Sequence, residues 1–325
     1  MAQSSAFINA DHLQRLLTGG LIPAAPVTLD ANRKLYHVAH DSYIRYLSSQ
    51  RIAGVAVWAH TGRGLMLDAE TAHRVMDDWR KAIPGKVLIA GVGARTDADN
   101  PQRATMSMAE AALDCGADLL LAYPPRWLFN HPQRDKLIIE HHSSLCELGS
   151  PIVLFYLYEA AGGISYTQSV LDELLNLPEV VGIKVATLNS VMTYQDIARI
   201  VQTRHPNKLL ITGEDRFLGY SLRLGARAAL VGLGAVCAEL QSELIESHVS
   251  GNSDRFLELS DAVDRLAQVL FLTPMECYIK RILMALAYLG VIPRDAANDP
   301  WGPELPRDEF EKIGSVLTEL AAYAN

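Results

Sequence analysis

The chain has 325 residues, 49% hydrophobic and 20% charged, with a formal net charge of -8 at pH 7. That length and hydrophobic share allow one large core, and barrels of parallel strands routinely keep about 200 to 250 residues in a single domain. The acidic balance, with no basic cluster and no basic stripe interleaved with aromatics, speaks against a surface that neutralises nucleic-acid phosphates. Met1 to Gly20 has no apolar core of signal-peptide length, and no segment offers about eighteen uninterrupted apolar residues, so a cytoplasmic protein without membrane contact is expected.

After an amino-terminal extension over residues 1–19, short apolar runs alternate with amphipathic segments, the pattern of repeated β-α units on a parallel sheet. The runs are Leu21 to Val27, Ala53 to Trp58, Lys86 to Val92, Asp118 to Tyr123, Pro151 to Tyr156, Val180 to Lys184, Lys208 to Thr212 and Ala228 to Gly232. The first is the weakest strand candidate, because Pro23 and Pro26 remove ladder donors. Between the runs lie helical patterns such as Asp68 to Ile83, with Asp68 as N-cap and Glu70 in the first turn. Eight strand candidates favour a closed (β/α)8 barrel, a TIM barrel, over residues 20–250. The alternative is an open doubly wound sheet, but neither a Gly-x-Gly-x-x-Gly after the first strand nor a Walker loop is present. Past residue 251 helical patterns take over in Asp254 to Phe271, Pro274 to Leu289 and Arg307 to Ala324, a helical appendage expected to pack on the barrel.

The chemistry-bearing residues sit inside these runs. Lys184 lies in Val180-Val181-Gly182-Ile183-Lys184-Val185-Ala186-Thr187, a sequence suited to a strand buried on both faces. A lysine moved into low dielectric loses charge more readily and becomes an amine able to form a Schiff base. The competing reading is a strand-end lysine that snorkels to water. Tyr156, 28 residues upstream (184 − 156), ends its own apolar run and is either a proton carrier near that amine or a packed tyrosine. His60-Thr61-Gly62 lies between a strand and a helix, where successive amides can form an anion-binding concavity. Gly213-Glu214-Asp215 closes the seventh run, with the glycine as a pocket lining and the acids as caps of the next helix. His141-His142 has no spaced carboxylates or cysteines around it, and the four cysteines stand far apart without Cys-x-x-Cys, so neither metal nor disulfide is expected.

Gly182-Ile183-Lys184-Val185-Ala186-Thr187, preceded at this distance by Tyr156 and a Gly-containing loop, resembles the dihydrodipicolinate synthase / N-acetylneuraminate lyase family of Schiff-base aldolases. Order and spacing agree from about residue 20 to the carboxyl end. The resemblance implies a lyase, an aldolase or dehydratase, acting on pyruvate or another 2-keto acid through Lys184, with Tyr156 moving protons and no cofactor. It also implies that Thr61 and the His60 amide hold the keto-acid carboxylate, that Gly213 lines the pocket, and that the chain forms a homo-oligomer, tetramer or dimer.

Three places depart from the family. Ala161 stands where lysine-biosynthetic members carry an arginine that grips a second substrate, which argues against that synthase activity. Pro124-Pro125-Arg126-Trp127 replaces Pro-Pro-Tyr-Tyr, so Trp127 occupies the place of a tyrosine that extends a proton relay between subunits, and an indole cannot shuttle a proton. Arg63 and Arg126, where the family has glutamate and tyrosine, suit an extra anionic group on the substrate, the competing reading being solvated surface arginines. The rival to the enzyme is a barrel that keeps the lysine without turnover and serves as a keto-acid-binding or regulatory protein.

Overall fold

The computed structural model describes residues 10–306 and 308–324, with no side-chain account of residues 322 and 324. Eight parallel strands run in the order β1-β8-β7-β6-β5-β4-β3-β2. They are β1 (Leu21–Pro23), β2 (Gly54–Val57), β3 (Val87–Val92), β4 (Leu119–Ala122), β5 (Ile152–Leu157), β6 (Val180–Ala186), β7 (Leu209–Thr212) and β8 (Ala228–Val231). The β1–β2 seam is closed by the Ala24–Ala56 bridge and by Ala53 N–H donating to Leu21 O at 2.9 Å, so the sheet is a TIM barrel. β1 ends at Pro23, four residues before the apolar run does, because a proline supplies no ladder donor. Past the isolated bridge at Ala24, the expected residues Ala25 to Val27 are buried irregular chain instead.

Two apolar layers follow from the alternation of side chains along each strand. Val153, Phe155 and Leu157 of β5 share the lumen with Ile89, Leu121, Ile211 and Leu230, while Leu154 and Tyr156 face the surrounding helices. Helix Ala69–Ala82 begins as expected, with the Asp68 carboxylate accepting from Thr71 N–H at 2.8 Å. Within the amino-terminal extension, helix Ala10–Leu17 presents Leu13 and Leu17 to the lumen layer, and Gln14 Nε2 donates to Val181 O at 3.0 Å. This helix stoppers the barrel end opposite the strands' carboxyl termini. Residues 1–9 of the extension lie outside the described residues. Among the described residues, no helix is long and apolar enough to cross a membrane.

The appendage consists of helices Ser253–Leu270, Tyr278–Tyr288 and Glu309–Leu320. The expected second helix from Pro274 starts later, because Met275–Cys277 forms a 3₁₀ turn. Arg281, 1% exposed, fixes this region: Nε donates to Glu309 Oε1 at 2.6 Å and Nη1 to the Leu272 and Pro274 carbonyls at 2.7 and 3.2 Å. The carbonyls it holds belong to the segment joining Phe271 to Tyr278 over the barrel mouth. Replacing one partner of a buried pair strands the other charge. Arg281→Met is therefore expected to lower unfolding free energy by roughly 3 kcal/mol in urea denaturation; a loss under about 1 kcal/mol would assign the anchoring of this segment to apolar packing alone.

Candidate active site

At the carboxyl ends of the strands lies a chamber with about 50 Å³ of free space, lined among others by Lys184, Phe155, Tyr158, Gly213, Asp215 and Tyr278. Lys184 is 6% exposed and its ammonium group sits 4.2 Å from the Phe155 ring centroid. The pairing of β5 with β6 accounts for that neighbour. Ile152 pairs with Val180, but a bulge makes Val153 pair with Gly182, so Phe155, not Tyr156, stands beside Lys184. Gly182 is required where β6 passes β7, since a Cβ there would lie 2.4 Å from Leu209 O.

Burial lowers the pKa of Lys184, and the carboxyls of Asp215 and Glu214 act in the opposite direction. Burial in turn raises both acids, Glu214 to about 7 against the pull of its hydrogen bonds from Thr187 N–H and Oγ1. Asp215 Oδ1 accepts from Leu233 N–H at 2.7 Å. Neither acid caps the next helix, whose N-cap residue is Phe217. The expected capping role is thus corrected: the chain just past β7 carries two carboxyls, Glu214 buried and Asp215 half-buried, that line the chamber with the lysine.

His60 and Thr61 enter from the turn His60–Gly62 after β2. Trp58, at φ 53, bends the chain there, and its indole N–H is tied to Ala72 O at 2.9 Å. Tyr278 Oη lies 3.1 Å from both His60 Nδ1 and Thr61 Oγ1. Tyr278 is stacked on Phe271 with centroids 4.7 Å apart. Burial, with the Arg63 and Lys184 charges, pushes His60 down to about 3, so its imidazole is neutral. Beside the chamber opens a cleft of about 360 Å³, lined among others by His60, Arg95, Tyr123, Arg126 and Ala161.

The structure does not bring every expected residue together. Lys184, His60, Thr61 and Gly213 meet in the chamber. Tyr156 lies in the outer layer, edge-on to Tyr166 at 5.9 Å, on the face opposite the lysine. Trp127 packs edge-on against His141 at 5.0 Å and lines neither cavity. His141 meets His142 at 5.1 Å and His142 meets Tyr166 at 6.1 Å, so these residues form a buried row of perpendicular rings behind β5. Arg126 does line the cleft, donating to Gly163 O at 2.7 Å and lying 3.8 Å over the Phe129 ring. Arg63 is corrected as an anion site, because Asp299 (3.2 and 2.7 Å) and Glu276 (3.1 Å) already occupy its guanidinium.

The family model for the dihydrodipicolinate synthetase family matches residues 17–319. The chain belongs to that family. A 4-hydroxy-tetrahydrodipicolinate synthase of Methanosphaerula palustris is 27% identical over 310 residues, covering 94% of this chain and 99% of the relative. Among solved structures, a Ruminococcus gnavus sialic acid aldolase superposes with a TM-score of 0.81 at 19% identity, covering 95% of this chain and 98% of the other. A prophage protein of E. coli belonging to the dihydrodipicolinic acid synthase family, in complex with pyruvate, gives 0.81 at 19% identity over 93% and 98%. At such identities these structures speak for the fold. As a member of this family the chain is a lyase.

In this dihydrodipicolinate synthetase family member the chamber is also lined by residues that the sequence did not single out. Tyr278, Phe271 and Met275 come from the appendage, and Tyr158 from two residues beyond the expected tyrosine. Periodicity marks positions 271 to 278 only as part of an apolar helical stretch, so nothing local separates a chamber-facing hydroxyl from a core tyrosine. Gly213 is confined more tightly than a lining residue needs: a Cβ there would sit 2.7 Å from Lys184 Cε and 3.0 Å from Ala186 Cβ. Gly213→Ala should displace the lysine while leaving the thermal midpoint within a few degrees, and slow its reaction with a keto acid by about tenfold or more, a 1 Å misplacement costing up to about 10²-fold. Reaction at the unsubstituted rate, followed by mass spectrometry, would show that the lysine chain tolerates the methyl group.

Proposed function

We propose that this family member is a Schiff-base lyase whose Lys184 amine condenses with pyruvate or another 2-keto acid. The observation that carries the reading is a buried lysine lining a chamber, its charge disfavoured by burial, with two carboxyls in the same wall. The lone pair of Nζ bonds to C2 of the keto acid, the oxygen departs as water, and the resulting iminium accepts the electron pair of a bond at C3. Cleavage of a carbon–carbon bond and loss of a 4-hydroxyl as water both use that electron sink.

The division of space supports the same reading. A chamber of about 50 Å³ suits a three-carbon acid, with its carboxylate directed to Thr61 and the His60 turn, and the adjoining cleft of about 360 Å³ takes the rest of a larger substrate. Arg126, whose guanidinium meets a carbonyl and a ring, is the cation of that cleft suited to a distal carboxylate. Arg63 already has two acidic partners, and Arg95 is paired with Asp97 at 2.7 Å. A sugar-acid derivative or another carboxylated keto acid fits this arrangement. Phe155, which brings no hydroxyl to the lysine, favours a second reading, a keto-acid-binding barrel without turnover. Tyr158 and Tyr278 in the same chamber favour the lyase.

Borohydride reduction in the presence of pyruvate is expected to add a mass to the peptide containing Lys184, and Lys184→Ala to abolish it. Because burial lowers the lysine pKa, the free amine persists toward neutral pH; the trapping rate rises with pH, levels off above the depressed pKa, and falls on acidification. Labelling of another lysine, or none with any of a panel of 2-keto acids, defeats the assignment. Turnover of a trapped acid separates the lyase from the binder.

A methyl group at Ala161, on the cleft wall, offers no grip on a second carboxylate. Condensation of pyruvate with aspartate semialdehyde should accordingly be negligible. Rates matching a purified 4-hydroxy-tetrahydrodipicolinate synthase in the same coupled assay would show that another cation, Arg126 first, replaces the arginine.

A further inference from the structure

We infer that Tyr278, supplied by the appendage, is the acid that protonates the departing oxygen during imine formation at Lys184, and that His60 and Glu276 reload it from solvent. The inference rests on the Schiff-base reading. It assigns the proton path to residues outside the strand that carries Tyr156.

Geometry leads from the chamber outward. Tyr278 lines the chamber with Lys184, and its Oη lies 3.1 Å from His60 Nδ1 and 3.1 Å from Thr61 Oγ1. His60 Nε2, on the other side of the ring, is 3.8 Å from Glu276 Oε2, and the Glu276 side chain is 35% exposed. Hydroxyl, imidazole and partly exposed carboxylate thus lead from the chamber toward water, the last gap of 3.8 Å being one that a bridging water would span. Tyr278 is held from several sides, stacked on Phe271 and at the start of a helix anchored by Arg281. A Cβ on Gly232 would approach Tyr278 Cε2 and Thr61 Oγ1 at 3.2 Å each, so the chain just past β8 is bare backbone where the two hydroxyl-bearing residues meet.

The protonation states suit transfer rather than charge storage. Burial raises the Tyr278 phenol well above its ordinary value, so it keeps its proton at neutral pH and acts as a donor. His60 is neutral, with a hydrogen on one nitrogen and a lone pair on the other. As Nζ bonds to C2, the carbonyl electron pair moves to oxygen, which takes the Tyr278 proton. The nitrogen lone pair then expels that oxygen as water with a second proton delivered along the same path, while the Nζ proton lost in between returns to solvent. Per turnover, an amine, a carbonyl compound and one proton become an iminium and a water, so the balance closes. His60 gives its Nδ1 hydrogen to the phenolate and takes a proton at Nε2 from the Glu276 side, changing tautomer; ring rotation or reverse transfer resets it. Thr61 holds the phenol oxygen in place.

Rapid mixing with pyruvate followed by borohydride quenching measures how fast the trappable imine builds and where it levels. Tyr278→Phe keeps the ring stacked on Phe271 and is expected to slow the build-up by roughly two to four powers of ten, the usual contribution of a positioned acid, with the same final trapped fraction. His60→Gln retains hydrogen-bonding groups but cannot relay a proton, and should slow the build-up by about tenfold or more at an unchanged plateau. A purely structural role for either residue would change the plateau or the thermal midpoint and leave the rate intact. A Tyr278→Phe rate within about threefold of the unsubstituted protein overturns the assignment, as does a fall confined to Tyr158→Phe. Failure of the unsubstituted protein to trap pyruvate or any other 2-keto acid overturns the Schiff-base reading beneath it, a result distinct from trapping at full speed in Tyr278→Phe.

Discussion

The site depends on one extra residue in β6. Without a bulge, the offset of 28 that pairs Ile152 with Val180 would continue to Tyr156 and Lys184; with it the offset becomes 29, and Phe155 is the lysine's neighbour. Because strand side chains alternate between faces, a shift of one residue sends the whole set to the other side. Val181 joins the lumen layer, Lys184 stays in the lumen, and Tyr156 turns to the helices. The amine consequently loses its hydroxyl neighbour on β5 and gains a ring whose π face lies 4.2 Å away. A ring face attracts the ammonium form weakly, while burial opposes it more strongly. What remains to balance the lysine is the pair of carboxyls at the end of β7.

That shift explains why the appendage matters to the chemistry. A barrel mouth with Phe155 against the lysine and Trp127 turned away offers few hydroxyls from its own strands. The segment from Phe271 to Tyr278 lies over the mouth and brings one back. Its placement rests on Arg281, whose guanidinium spends its donors on Glu309 and on two carbonyls of that segment. A helix far from the strands in sequence thereby fixes a side chain in the chamber that holds Lys184, and fold stability and chamber geometry share one buried ion pair.

The fold was legible because its signals are repeated. Eight apolar runs, each separated by an amphipathic segment, match the eight strands within a few residues, and Asp68 caps its helix as its side-chain chemistry dictates. β1 came out shorter than its run because Pro23 and Pro26 offer no donors. The site was legible where a residue's environment is set by its own strand: Lys184 sits among apolar, β-branched neighbours that bury it, which decides against the snorkelling lysine, and Gly213 directly follows the apolar run of β7. Tyr156 was misplaced because spacing along the chain carries no information about a bulge, which adds a residue to one strand and none to its partner. Tyr278 left no trace at all, since long-range packing of the appendage, not local pattern, aims its hydroxyl.

Charge bookkeeping within the mouth narrows what can enter. Arg63 faces the cleft but answers to Asp299, 5% exposed, and to Glu276, so its cation serves to fasten the appendage loop to the turn after β2. The same Glu276 approaches His60 Nε2, which couples that fastening to the histidine. Inside the chamber burial shifts Lys184 toward its free amine and Glu214 and Asp215 toward their protonated forms, so all three groups move toward neutrality together. In the proposed reaction a keto-acid carboxylate would then meet no fixed negative charge, whereas two ionised acids beside a neutral amine would repel it. The burial that frees the amine also keeps Asp215 and Glu214 protonated more readily, and for the proposed reaction both effects favour an anionic substrate beside an uncharged amine.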